Sequence, residues 1–221
     1  MEILNIGANE KKPDPDFDLD GLEYTHIDDG YLLPHLGAGE WDGHIFISGA
    51  TGSGKSWIIN QIVVHDKKKR ERVLFSDLSK PDDGTALFQP KIKDKSLKFD
   101  YEVYRPGMDL KNKICIFDDY KDIRLRDELL EKGRHTGTVV LCVTHKFRDY
   151  GRTKMPLNES KYIILFPYAN SGVVKKEVKN YVSSNKSVDQ IVDLAKYDGR
   201  YLIIHQHAPN MIITQRSMIR L

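Results

Sequence analysis

The sequence predicts an α/β domain: a mostly parallel sheet with helices on both faces and a C-terminal β-hairpin. Three observations carry that expectation. From His44 onward, short apolar runs rich in β-branched residues alternate with amphipathic stretches. One run, TVVLCVT (Thr138 to Thr144), is apolar almost throughout, as in a central parallel strand buried on both faces. The length of 221 residues, 40% hydrophobic and 30% charged, suits one domain, or one domain with small additions.

The elements follow in chain order. KKPDPDFDLDG (Lys11 to Gly21) is polar and broken by proline, and reads as flexible or as an arm. GLEYTHIDDGYLLPHLGAGEW mixes apolar anchors with turn residues, and is expected to pack on the main domain without joining its core. HIFIS is a strand, and a Gly-rich turn follows it. SWIINQIVVHD is a helix with Ile58, Ile59, Ile62 and Val63 on one face. RVLFS (Arg72 to Ser76) is a second strand and YEVYR (Tyr101 to Arg105) a further candidate, with an irregular stretch between them. KICIF (Lys113 to Phe117) is the next clear strand. DIRLRDELLEKG is a helix, with Asp122 as N-cap and Gly133 just past its end. KYIILF (Lys161 to Phe166) is a strand, and SVDQIVDLAKYDG a helix stopped by Gly199. YLIIHQ and NMIIT close the sheet around a turn at Ala208–Pro209. The division is therefore an acidic N-terminal arm, 1–43, and an α/β domain, 44–221.

Charge is unevenly spread. Residues 1–43 carry eleven acids and two lysines, 44–150 carry 21 basic and 16 acidic residues, and 151–221 carry eleven basic and five acidic ones. The acidic head repels nucleic acid, while the rest can attract it. The start, MEILNIGANEKKPD, has neither a basic n-region nor an apolar h-region, so no signal peptide is expected. No apolar run approaches the ~18–20 residues that span a bilayer. The two cysteines, Cys115 and Cys142, lie inside apolar runs. They read as small buried hydrophobes, which excludes a disulfide framework or a zinc cage and points to a reducing, cytoplasmic setting.

Gly49-Ala50-Thr51-Gly52-Ser53-Gly54-Lys55-Ser56 matches G-x-x-x-x-G-K-[ST] in full, between a strand and an amphipathic helix. Glycines let the backbone wrap phosphates with its N–H groups, and the helix start adds a positive dipole end. Residues 49–56, with Trp57 next to them, form the expected nucleotide cradle. Lys55 would reach the β- and γ-phosphates of ATP, and Ser56 would ligate Mg²⁺. Ile114-Cys115-Ile116-Phe117 ends in two carboxylates. Asp118 is placed to hold Mg²⁺ with Ser56, and Asp119 to deprotonate the attacking water. At the end of the Thr138–Val143 strand, His145, with Thr144 second, is the candidate to sense the γ-phosphate or that water. Arg134, read as lying just past a helix end, is the candidate finger for a neighbour's γ-phosphate, with Arg148 and Arg152 as rivals. Basic clusters at Lys67–Arg70, Lys91–Lys95 and Lys175–Lys176 suit sequence-independent contact with the phosphates of duplex DNA, or ordinary solvated loops.

Taken together, GATGSGKS, the strand ending in Asp118-Asp119, and GRHTGTVVLCVTH resemble the FtsK–HerA superfamily. More narrowly, they resemble the poxvirus-type and virophage-type viral DNA-packaging ATPases. The similarity covers roughly His44 to Thr214 and leaves the acidic arm outside. The family usually has Gln where this chain has His145. The resemblance implies a RecA-like P-loop core whose sensor strand lies between the P-loop strand and the Asp118 strand. It also implies a homo-oligomeric ring, ATP hydrolysis at subunit interfaces, and translocation of double-stranded DNA into a preformed capsid, with capsid vertex proteins as candidate partners. The setting would be host cytoplasm, virus factory or virion. Two rivals remain: a P-loop kinase of a nucleotide or small molecule, and an ATP-dependent morphogenesis or secretion scaffold.

Overall fold

The computed structural model describes residues 3–5, 17, 19, 21–36, 43–76, 102–120, 122–149, 151–168, 171–207 and 210–221. The basic cluster at Lys91–Lys95, the Pro-broken stretch up to residue 16 and the Ala208–Pro209 turn lie outside these residues.

In chain order the elements are β1 (Ile3–Asn5), β2 (Tyr24–His26), β3 (Leu32–Pro34), β4 (His44–Ser48), α1 (Lys55–Val64), β5 (Arg72–Ser76), β6 (Glu102–Val103), β7 (Ile114–Asp118), α2 (Ile123–Thr136), β8 (Val139–Thr144), α3 (Lys154–Glu159), β9 (Ser160–Leu165), α4 (Ser171–Val178), α5 (Asn185–Asp198), β10 (Leu202–His205), β11 (Met211–Thr214) and β12 (Ser217–Arg220). Ten strands form one sheet in the order β2-β12-β11-β10-β9-β4-β8-β7-β5-β6. From β9 to β6 every pairing is parallel, and from β9 to β2 every pairing is antiparallel. Strand β8 lies between β4 and β7, the order expected of a RecA-like core. The carboxyl ends of β4, β7 and β8 therefore meet on one edge.

The central strands alternate between two faces, as the two-residue period of a pleat requires. Ile45, Ile47, Leu74, Ile114, Ile116, Leu141 and Val143 pack with Ile58, Ile59, Ile62 and Val63 of α1. Phe46, Phe75, Cys115, Phe117, Val140 and Cys142 pack on the other face with α2, α4 and α5. Each fully buried aliphatic or aromatic side chain contributes about 1.5–3 kcal/mol of transfer free energy. Burial pushes both thiols up to about 12, so Cys115 and Cys142 act as packing residues.

Three expectations change. Residues 24–36 are part of the domain: β2 extends the sheet beside β12, and Leu33 and Leu36, 0% exposed, join the α1 face of the core. The hairpin of β10 and β11 continues into β12, so with β2 the antiparallel wing has two more strands than expected. Helix α2 does not stop at Gly133. It runs to Thr136 and ends at Gly137, whose φ of +71° is the left-handed conformation that favours glycine at a helix end. Gly133 is glycine for another reason. A Cβ there would lie 2.8 Å from the His44 ring and 2.9 Å from the Thr138 carbonyl oxygen.

Candidate nucleotide site

The P-loop joins β4 to α1. Gly54, with φ +108°, caps α1 without any side-chain hydrogen bond, so the amide groups of the first turn are open to an anion. The loop is held against the sheet by the Gly49 N–H, which donates to the Thr144 carbonyl at 3.2 Å, and by a turn from Ser53 N to Ala50 O at 3.2 Å. Ser53 Oγ is buried with no partner. An orphaned hydroxyl beside an uncapped helix start fits a phosphate oxygen.

Lys55 folds back into this seat and is only 8% exposed. Its Nζ donates to Gly49 O at 2.7 Å, Ala50 O at 3.1 Å and His145 Nδ1 at 3.1 Å. Burial lowers its pKa, against the opposing charges of Asp118 and Asp119. Asp118 closes β7. Burial, and then the neighbouring Asp119, raise its carboxyl to about 6, with Lys55 and His145 pulling the other way. Asp119 follows in a left-handed backbone conformation, φ +47°, with its N–H on the Val143 carbonyl at 3.0 Å. His145 reaches it twice: Nε2 to Oδ2 at 2.9 Å and backbone N to Oδ1 at 3.2 Å.

Lys55, Asp118, Asp119 and His145 thus come together, though 90 residues separate the first from the last. Thr144 does not face them with its hydroxyl, which bonds the backbone of Lys146 in both directions at 3.2 Å. Ser56 stands in the first turn of α1, exposed. The Trp57 ring turns away from the loop and meets Tyr31 edge-on at 5.8 Å and Tyr201 at 6.5 Å, so the residue can offer a nucleotide only its backbone. Oxygen donors on Ser56 and Asp118 suit Mg²⁺ shared with phosphates. Among the described residues no group of three or more His, Cys, Asp or Glu side chains forms a metal cage by itself.

Arg134 falls elsewhere. Because α2 continues to Thr136, Arg134 lies in its last turn, exposed, where β8 begins. The Asn112 N–H donates to the Thr136 carbonyl at 2.9 Å, which fixes that turn beside the start of β7. The six residues of β8 separate this edge from the P-loop edge by roughly 17 Å. Arg134 therefore cannot serve the site of its own chain. Of its rivals, Arg148 pairs with Glu177 at 3.6 Å. Arg152 lines a cavity of about 230 Å³ with Asp119, Thr144 and His145. Arg126, absent from the sequence-based candidates, lines the same cavity from α2, bonded to Asp127 at 2.7 and 2.9 Å. No local pattern marks it, since it reads as one more charge on an amphipathic helix.

Two basic clusters are also partly committed. Arg70 is buried and paired with Asp66 at 2.6 Å, so only Lys67, Lys68 and Lys69 are exposed in that loop. Lys175 pairs with Asp189 at 2.7 Å.

No family model matches the chain. It is 27% identical over 189 residues to a protein of the Sputnik virophage described as uncharacterized protein V3, covering 78% of this chain and 75% of that one. Among solved structures it is similar to the genome packaging NTPase B204 of Sulfolobus turreted icosahedral virus 2, in complex with sulfate. That similarity has a TM-score of 0.45 and 17% identity, and covers 83% of this chain and 97% of the other. Among the described residues no helix is long and apolar enough to cross a membrane.

Proposed function

We propose that this chain is an ATP-hydrolysing motor of the FtsK–HerA type that moves double-stranded DNA into a viral capsid as a homo-oligomeric ring. The observation that carries the reading is the convergence of Lys55, Asp118, Asp119 and His145 at the carboxyl edge of adjacent parallel strands, beside an open helix start. The P-loop amides, Ser53 and Lys55 bind the phosphates. Asp119 orients and deprotonates the attacking water. Ser56 and Asp118 would hold Mg²⁺, which would supply positive charge to the bound phosphates. The exposed Lys67–Lys69 loop suits backbone contact with a duplex. The motif resemblance and the virophage relative favour the viral setting. Arg134 serves a neighbouring copy, since its own site is out of reach.

ATP turnover with and without duplex DNA, measured together with oligomer mass, tests the reading. DNA-stimulated hydrolysis by a ring is expected, and Lys55→Ala is expected to abolish it while the fold persists. Wild-type turnover in a folded Lys55→Ala chain contradicts the assignment. Phosphotransfer to a nucleoside monophosphate without DNA stimulation identifies a kinase instead.

A further inference from the structure

His145 lies between the P-loop lysine and the carboxylate after β7 and bonds to both. An ammonium group has donors only, so His145 Nδ1, 3.1 Å from Lys55 Nζ, is an acceptor. The ring proton then sits on Nε2, which donates to Asp119 Oδ2 at 2.9 Å. A neutral imidazole in this tautomer offers an acceptor to one neighbour and a donor to the other, the same polarity as a carboxamide. The backbone N–H of His145 takes the second Asp119 oxygen at 3.2 Å.

The lysine end of the bridge is saturated. Lys55 has three N–H donors and three acceptors, Gly49 O, Ala50 O and His145 Nδ1. Both carboxylate oxygens of Asp119 accept from one residue. A phosphate that recruits Lys55 must therefore displace an existing acceptor. Two of the three are loop carbonyls fixed in the backbone, and the third is a half-exposed ring that can turn.

We propose that His145 is a positioning residue that latches Lys55 to Asp119 in the nucleotide-free chain, gives up the lysine when a γ-phosphate takes it, and keeps the carboxylate oriented. This rests on the nucleotide reading above and adds a regulation to it: the lysine stays engaged by His145 until the phosphate has arrived. Removing the ring has two opposite consequences. Lys55 loses a competing partner, so nucleotide binds more tightly. Asp119 loses the group that orients it, so turnover falls. A residue that only supports the fold would not move the two in opposite directions.

The test compares the full-length wild type with His145→Ala and His145→Gln. It measures affinity for a non-hydrolysable ATP analogue, turnover of ATP, and the ¹⁵N shifts of the His145 ring with and without the analogue. The expected result is analogue binding about three- to tenfold tighter in His145→Ala, the scale of one lost hydrogen bond. Turnover in that variant should fall about tenfold or more, while Gln restores both values. The ring should show Nε2 protonated and Nδ1 bare in the free protein, with the Nδ1 signal moving when the analogue binds. Unchanged affinity in His145→Ala, a Gln variant that behaves as Ala does, or a proton on Nδ1 in the free protein overturns the latch while leaving nucleotide binding intact. A wild-type chain that binds no nucleotide is a different failure, because it removes the nucleotide reading itself and the trigger with it.

Discussion

His44 opens the strand that leads into the P-loop, and its ring is fixed on both sides. Nδ1 accepts from the Val140 N–H at 3.0 Å, and Nε2 donates to the Leu130 carbonyl at 3.0 Å. One imidazole thus ties β4 to β8 and α2. Burial drives its pKa from the ordinary 6.5 down to about 4, partly offset by the bond to Leu130. The folded chain then binds the proton less readily than the unfolded chain. Stability from this group is fully present above pH 6.5 and is lost as pH falls through about 4. The shift corresponds to about 3 kcal/mol at full development. Denaturant titrations of the wild type should show stability falling from pH 6.5 to 4, and a folded His44→Asn chain should lose most of that slope. An unchanged slope in the variant means that another group titrates. None of this is legible in the sequence. The strand HIFIS announces itself by its apolar run, but the partners of His44 lie 86 and 96 residues away. The P-loop is the opposite case, because its eight residues are contiguous and their spacing alone encodes a phosphate cradle.

At the scale of the element, α2 shows how a correct helix can be given the wrong end. Glycine is both a helix stop and a close-packing residue, and one sequence position cannot distinguish the two. The structure separates them: Gly137 ends the helix, while Gly133 lets it pass the His44 ring. Gly133→Ala improves helix propensity by about 1 kcal/mol. It also drives a methyl against a ring and a backbone carbonyl oxygen, and overpacking of that kind typically costs about 1–3 kcal/mol. The clash is expected to win, with a lower thermal midpoint. A midpoint that rises means that the His44 ring gives way. The parallel strands β4, β5, β7, β8 and β9 were all visible as apolar runs, because burial on both faces leaves few polar positions. Strands β2 and β12 were not, since a three- or four-residue strand near the sheet edge can keep exposed positions and needs no apolar run.

The sheet has two edges that carry the candidate functional residues. At one, β4, β7 and β8 deliver Lys55, Asp118, Asp119 and His145; at the other, α2 ends beside the starts of β7 and β8 with Arg134 exposed. The strand order that makes this arrangement was expected only from the resemblance, and the reading of Arg134 as lying past a helix end followed from the misplaced helix stop. An arginine roughly 17 Å from its own site could reach a nucleotide only in another copy. A closed ring with head-to-tail contacts joins two different surfaces of neighbouring subunits, so such a meeting is geometrically available. Arg134→Ala should then bind ATP normally and hydrolyse it about 10³-fold more slowly, the typical loss for a finger of this kind. Mixing the variant with Lys55→Ala separates the alternatives. One partner keeps its P-loop and the other keeps its finger, so some interfaces in a mixed ring combine both and part of the activity returns. If the two variants co-assemble and nothing returns, Arg134 is not a trans finger. Arg152, already beside Asp119 in the 230 Å³ cavity, then becomes the residue to test. As a cis group, its alanine variant should be rescued by no mixture in which every intact Arg152 shares a chain with a defective P-loop.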